Sequence, residues 1–309
     1  MEKPAMALSA QQQEIREWLA QREAILLAHN YQPGEIQDIA DFTGDSLGLS
    51  QTAAGTPAKV IVFCGVHFMA ETAAILCPEK TVLLPRLDAG CYMAATVTPE
   101  SLRARKAQLP GVPVVTYVNS TAAVKAESDI CCTSANAVRV VNSLSQDQVL
   151  MVPDRNLALY TQRYTQKQIH LWAGCCNIHD ALSRDQVLAC RAAHPRAVFL
   201  AHPECRPEVL DLADVIRSTS GMLAYVRQAE QEEFIIGTEM GIIHTLAKEN
   251  PGKRFYSPSP HLLCPDMKKI DLADILRALQ NLTPVVTVPE DIRQRALAAV
   301  NRMLAVPRD

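Results

Sequence analysis

One pattern occurs three times in this 309-residue chain, and that limits the fold to an arrangement of like units. The segments "HNYQPGEIQDIADFTGDS" (29–46), "YVNSTAAVKAESDICCTS" (117–134) and "HPECRPEVLDLADVIRST" (202–219) align without a gap, at offsets of 88 and 85 residues. Each follows an apolar, strand-like run: "AILLA", "PVVT" or "AVFLA". Each continues through a polar turn into a short helical stretch with Ile36, Val124 or Val209 at the matching position. Asp41, Asp129 and Asp214 coincide, as do Ser46, Ser134 and Thr219, which stand where an N-cap would open a further helix. Second strands "KVIVF", "QVLMV" and "EFIIG", helices "FMAETAAIL", "NLALYTQRY" and "MGIIHTLAKE", and third strands "TVLLP", "IHLW" and "RFYSP" follow in the same order. Strands alternating with helices predict α/β units with parallel sheets. Three such units pack around a pseudo-threefold axis. Ligands of open parallel sheets bind at the carboxyl ends of strands, which is where His29/Tyr31, Tyr117/Asn119 and His202/Glu204 stand.

Just past the third strand of each repeat stands a cysteine: Cys91, Cys176 and Cys264, spaced by 85 and 88 residues. From the aligned hydroxyl to the cysteine is 45, 42 and 45 residues; Cys175 would make the middle figure 41, so the spacing only leans toward Cys176. The chain has ten cysteines and no C-x-x-C. A structural zinc site wants four ligands, often paired on a knuckle, and no fourth residue repeats with these three. The spacing leaves three readings open: structural cysteines, a catalytic zinc, or a 4Fe–4S cluster whose one unligated iron acts as a Lewis acid.

A net charge of −3 argues against a nucleic-acid footprint. Runs such as "VIVFCGV" are strand-sized, which argues against a membrane span. The N-terminal stretch has no apolar signal core, so the expectation is a cytoplasmic protein with reduced thiols. The expected divisions are 1–92 for the first repeat, 93–177 for the second, and 178–309 for the third plus a tail, "VVTVPEDIRQRALAAVNRML", that reads as strand then helix.

"AHNYQ", "DIADFTGDSLGLSQ", "YVNSTAAVKAESDICCTSANA", "VPDRNLA", "HPEC", "STSGM", "GTEMGIIHTL" and "CPDMKK", in this order from about residue 24 to 305, closely resemble the iron–sulfur quinolinate synthases. The resemblance implies three homologous three-layer αβα domains around one central 4Fe–4S cluster with three cysteine ligands and one open iron. It implies Cys91, Cys176 and Cys264 as those ligands, with Cys175 a packing residue. Some family members carry C-x-x-C-x-x-C around the third ligand; here "LLCPDM" stands instead, so no disulfide switch is available there. The implied reaction joins iminoaspartate and dihydroxyacetone phosphate into quinolinate, phosphate and water in NAD biosynthesis. Coupling to an L-aspartate oxidase or dehydrogenase goes with it.

The resemblance also assigns roles. His29, Ser46, Tyr117, Asn119 and Ser134 contact the dicarboxylate part, and His202, Ser218 and Thr219 receive the phosphate-bearing substrate. Independently of the resemblance, the repeated proton transfers of such chemistry make Tyr31 and Glu204, at equivalent strand-end positions, the candidate acid–base groups; Glu204 can serve both ways near neutral pH if burial and nearby anions raise its pKa. His179 is a weaker candidate, either a substrate contact or a hydrogen-bond donor behind the cluster. The alternatives are a zinc or iron–sulfur hydro-lyase on another dicarboxylate, and a non-enzymatic iron–sulfur sensor. No DNA-binding or regulatory segment supports the sensor.

Overall fold

The computed structural model describes residues 8–308. It contains three four-stranded sheets, all parallel and all with one strand order. The first holds β1 (Ala24–His29), β2 (Phe42–Gly44), β3 (Val60–Cys64) and β4 (Thr81–Leu83), ordered β2-β1-β3-β4. The second holds β5 (Val114–Tyr117), β6 (Ile130–Cys132), β7 (Gln148–Val152) and β8 (Gln168–Leu171), ordered β6-β5-β7-β8. The third holds β9 (Val198–Ala201), β10 (Val215–Ile216), β11 (Glu233–Gly237) and β12 (Arg254–Tyr256), ordered β10-β9-β11-β12. The fold is the expected α/β architecture of three parallel sheets.

The repeated residues explain the repeated topology. Every residue of β3 and β11 is buried, as a parallel strand covered on both faces requires. The repeated aspartates act as clips. Asp41, Asp129 and Asp214 each accept the amide of a strand residue, Leu26 at 2.8 Å, Val114 at 2.7 Å and Phe199 at 2.8 Å. Each aspartate's own amide donates back to the same residue's carbonyl, at 2.9, 3.1 and 3.0 Å. The clip ties the short edge strand to its central neighbour. Ile36, Val124 and Val209, fully buried, seat the short helix between the two strands. Truncating one of them to alanine should cost roughly 1–4 kcal/mol.

The aligned hydroxyls cap differently from expectation. Ser46 and Thr219 are the first helical residues of Ser46–Gly55 and Thr219–Gln228. The caps lie one residue earlier, where the backbone is extended: Asp45 accepts from the Gly48 amide at 2.9 Å, and Ser218 from that of Gly221 at 3.3 Å. Ser134 lies two residues before Asn136, the first flanking residue of the helix Ala137–Ser143. Asn136 turns its side-chain oxygen back to the Thr133 amide, at 2.8 Å. Ser46, Ser134 and Thr219 all line the cavity described below, Thr219 Oγ1 accepting from Asn30 Nδ2 at 3.2 Å.

The tail folds back. Its expected strand shrinks to one antiparallel bridge, Val285 beside Leu83 on the outer strand β4, with the Val286 amide on the Val82 carbonyl at 2.8 Å. Pro284 and Pro289 flank this bridge and lack the N–H groups a longer ladder needs. Helix Leu272–Asn281 packs on Ala10–Gln21 of the first unit. Helix Glu290–Leu304 packs on β6, on helix Ala122–Lys125 and on helix His67–Leu76. The core is shared between units: Leu200, Phe234 and Ile236 join the first unit's apolar cluster, while Phe199, Ala201 and Ile235 join the second's. Among the described residues, no helix is long and apolar enough to cross a membrane.

Candidate active site

The carboxyl ends of the central strands converge on one cavity lined by all three units. The first unit contributes His29, Tyr31, Ser46 and Cys91 to its wall, and the second Tyr117, Asn119, Ser134 and Cys176. His202, Glu204, Thr219 and Cys264 come from the third. Ser218 faces an adjoining cavity that also touches Ser134. Cys175 is not among the lining residues.

The first and third units present their histidines identically. The Tyr31 amide donates to His29 Nδ1 at 3.2 Å, and the Glu204 amide to His202 Nδ1 at 3.3 Å. With Nδ1 occupied as an acceptor, each neutral ring carries its proton on Nε2. His202 Nε2 then donates to Ser134 Oγ at 3.2 Å. Burial is the main cause that lowers both histidines, His29 to about 4 and His202 to about 3, so both are neutral donors near pH 7.

A hydrogen-bonded chain joins the two acid–base candidates. Tyr31 Oη meets Thr238 Oγ1 at 2.5 Å, Thr238 Oγ1 meets His179 Nε2 at 2.8 Å, and His179 Nδ1 meets Glu204 Oε2 at 2.7 Å. His179 Nδ1 also lies 3.2 Å from Cys176 Sγ. His179 is buried and stacks on His202 with ring centres 4.7 Å apart. It is therefore the hub between cysteine, carboxylate and phenol. Glu204 Oε1 and Asn119 Oδ1 are buried without a hydrogen-bond partner, and both residues line the cavity, so each offers an acceptor to a ligand.

The electrostatics correct one expectation. Burial does push the Glu204 carboxyl up, but the His179 imidazole and the Tyr117 hydroxyl against it outweigh that and hold it below the usual range. The raised carboxyl is Asp154, pushed up by burial and then by Glu204. Of this buried pair, Glu204 holds the charge and Asp154 the proton. Glu204 thus starts as a base rather than an acid.

Two of the three cysteine loops hang on carboxyl groups. Asp154 accepts the Cys176 amide at 3.0 Å, and Glu239 accepts the Cys264 amide at 3.1 Å. These residues, with Val66, lie at the repeat's own offsets of 88 and 85, two residues past β7, β11 and β3. The carboxyl group takes the amide of Cys176 and not that of Cys175, which puts Cys176 at the position matching Cys264. At Gly174, a Cβ would lie 2.5 Å from the Pro153 carbonyl oxygen, so glycine lets this loop close on its neighbour. All ten cysteines are free thiols. Burial raises Cys91 to about 12, Cys176 well above its usual value, and Cys264 upward as well. A metal that bound them would have to displace their protons. A second donor set overlaps this one: Cys176, His179 and Glu204 offer thiol, imidazole and carboxylate atoms within 4.8 Å of one another.

Asp154, Thr238, Glu239 and Lys268 escaped the reading of the sequence. Lys268 Nζ lies 2.8 Å from Glu239 and also bonds the Tyr31 carbonyl. The first and third of these missed residues carried a usable signal, their placement at the repeat offsets. Thr238 and Lys268 had none, because their partners lie far away in the chain.

Three like α/β units that close on one buried cavity of thiols, imidazoles and carboxylates define a metal-competent, acid–base centre of enzyme type. Comparison with known proteins makes this specific. Residues 13–305 match the family model described as quinolinate synthetase A protein. The chain is 60% identical to the quinolinate synthase of Geobacter metallireducens over 297 residues, covering 96% of this chain and 98% of that protein. It is 58% identical to the quinolinate synthase of Geobacter sp. (strain M21), over 96% of this chain and 97% of that one. It is 56% identical to that of Methanosarcina barkeri, over 94% of this chain and 96% of that one. The chain belongs to the quinolinate synthetase A family.

Proposed function

We propose that this protein condenses iminoaspartate with dihydroxyacetone phosphate to give quinolinate, phosphate and water in NAD biosynthesis. Family membership supports the reaction, and one observation carries the residue assignment: groups from all three units meet in a single cavity. Three thiols on separate loops, with no fourth repeated ligand, fit a 4Fe–4S cluster held by Cys91, Cys176 and Cys264. When bound, the cluster supplies a Lewis-acidic iron with an open coordination position.

The chain's own residues handle binding and protons. His29, Ser46, Tyr117, Asn119 and Ser134 hold the dicarboxylate part through neutral donors and acceptors. His202, Thr219 and Ser218 receive the phosphate-bearing part, Ser218 from the side of the adjoining cavity. Glu204 takes a substrate proton at its carboxylate, and the His179–Thr238 chain lets Tyr31 return one at its other end. Asp154 and Glu239 fix the backbone of two cysteine loops.

The three repeats form domains near 1–92, 93–177 and 178–309, with the tail laid over the first two. The protein works in the cytoplasm, beside an L-aspartate oxidase or dehydrogenase that supplies the short-lived imine. The test is anaerobic: cluster-reconstituted protein is given both substrates and quinolinate is measured by chromatography. Quinolinate formation that depends on both substrates is expected. A brown, iron-replete protein that makes none would overturn the reading.

A further inference from the structure

Four carboxylates line a cavity that has to accept anions: Asp45, Glu204, Glu239 and Asp266. Each faces a basic group. Glu204 lies 2.7 Å from His179, Glu239 lies 2.8 Å from Lys268, and Asp266 lies 2.7 Å from Lys269. Asp45 is gripped by both terminal guanidinium nitrogens of Arg308, at 2.6 and 3.0 Å. Arg308 comes from the far end of the chain, 263 residues away. Its partner caps the helix that begins at Ser46, and Asp45 is only 5% exposed.

The tail that carries Arg308 is held in place. Asn136, fully buried beside the Ser134 loop, donates from Nδ2 to the carbonyls of Met303 at 3.3 Å and Val306 at 3.1 Å. Arg308 also faces the adjoining cavity, whose lining includes Arg217 and Ser218 but no carboxylate. The Asp45–Arg308 pair therefore stands between the central cavity and a basic one beside it. Without Arg308, a nearly buried carboxylate would sit uncompensated next to Ser46, where an anion has to bind.

We propose that Arg308 is a positioning residue for the anionic substrates: it neutralises Asp45 and holds the Ser46 helix start against the cavity. The inference rests on the reading of the cavity as the site for a dicarboxylate and a phosphate ester. It adds a role for the C-terminal end of the chain in the site.

The experiment measures dissociation constants by calorimetry on the full-length, cluster-loaded protein, with dihydroxyacetone phosphate and malate, an unreactive C4 dicarboxylate, as probes. Arg308→Gln should weaken both by about tenfold, and more at low salt, because an unscreened like charge is left behind. Arg308→Lys should recover most of the loss. Adding Asp45→Asn to Arg308→Gln should recover it too, since asparagine still caps the helix but carries no charge. A merely structural tail would not be rescued by that second change. Binding by Arg308→Gln within twofold of the parent overturns the proposal, and so does a double variant as weak as the single one. A parent that binds both probes but makes no quinolinate overturns the functional reading alone; a parent that binds neither overturns both.

Discussion

The second and third units hang their cysteine loops from a buried carboxyl group; the first does not. Asp154 and Glu239 accept the amides of Cys176 and Cys264, while the equivalent Val66 is packed in the core. The first loop keeps only the backbone clasp that all three share, the His67 amide on the Ala89 carbonyl at 2.8 Å, matched by Arg155 on Gly174 and Met240 on Leu262, both at 2.8 Å. The aspartate clips, by contrast, are the same in all three units. The difference teaches where a triplicated fold can diverge. A clip serves only its own sheet, so each copy keeps it. A strand-end residue faces the shared axis, where three identical side chains would compete for one space.

The comparison can be broken at several points. The largest effects belong to what the three units share. Cys91→Ser, Cys176→Ser and Cys264→Ser should each lose bound iron and quinolinate formation almost completely, whereas Cys175→Ser and Cys205→Ser keep both. Iron content and cluster absorbance decide it, and loss in the Cys175 variant alone would reverse the assignment.

Next comes the position at which the units differ chemically. Glu204 is the third-unit counterpart of Tyr31 and Asn119, and only it carries a charge there. Glu204→Gln should lower turnover by about 10²–10⁴ with the cluster still bound. Turnover within a few-fold of the parent would move the proton work to Tyr31.

Smaller effects separate the hung loops from the unhung one. Glu239→Gln should speed iron loss to a chelator by about tenfold, as removal of a group behind a metal ligand does. Val66→Ala should leave that rate within about twofold, since its loop does not depend on a side-chain acceptor. Equal rates would mean that the carboxyl groups do not hold the loops.

The smallest effects test the symmetric part. Asp41→Ala, Asp129→Ala and Asp214→Ala should each cost about 1–2 kcal/mol in denaturant unfolding, and by similar amounts, because each removes one charged acceptor from one strand amide. A loss confined to a single unit would show that the clips are not equivalent.

Much of this architecture was legible in the sequence. A β-α alternation at fixed offsets follows from local periodicity, so three strands of each sheet and the aspartate positions could be read directly; the short edge strands β2, β6 and β10, of two or three residues each, could not. In the first and third units the caps were displaced by one residue, because cap choice depends on which backbone residue is extended and not on which carries a hydroxyl. The tail's strand was overread, since prolines at both ends leave too few amides for a ladder. His179 was judged marginal, yet it bonds Glu204, Thr238 and lies against Cys176.

By itself the sequence determined the repeat, the α/β class and the residues brought to each strand end, because these depend on spacing along the chain. Only the tertiary structure decided the protonation of Glu204, the relay through Thr238 and His179, and the grip of Arg308 on Asp45. Those depend on distances between groups up to 263 residues apart and on how deeply each is buried. Hydrogen bonds and screened charges act over a few ångströms of space, and no periodicity along the chain records which distant residues come within that reach.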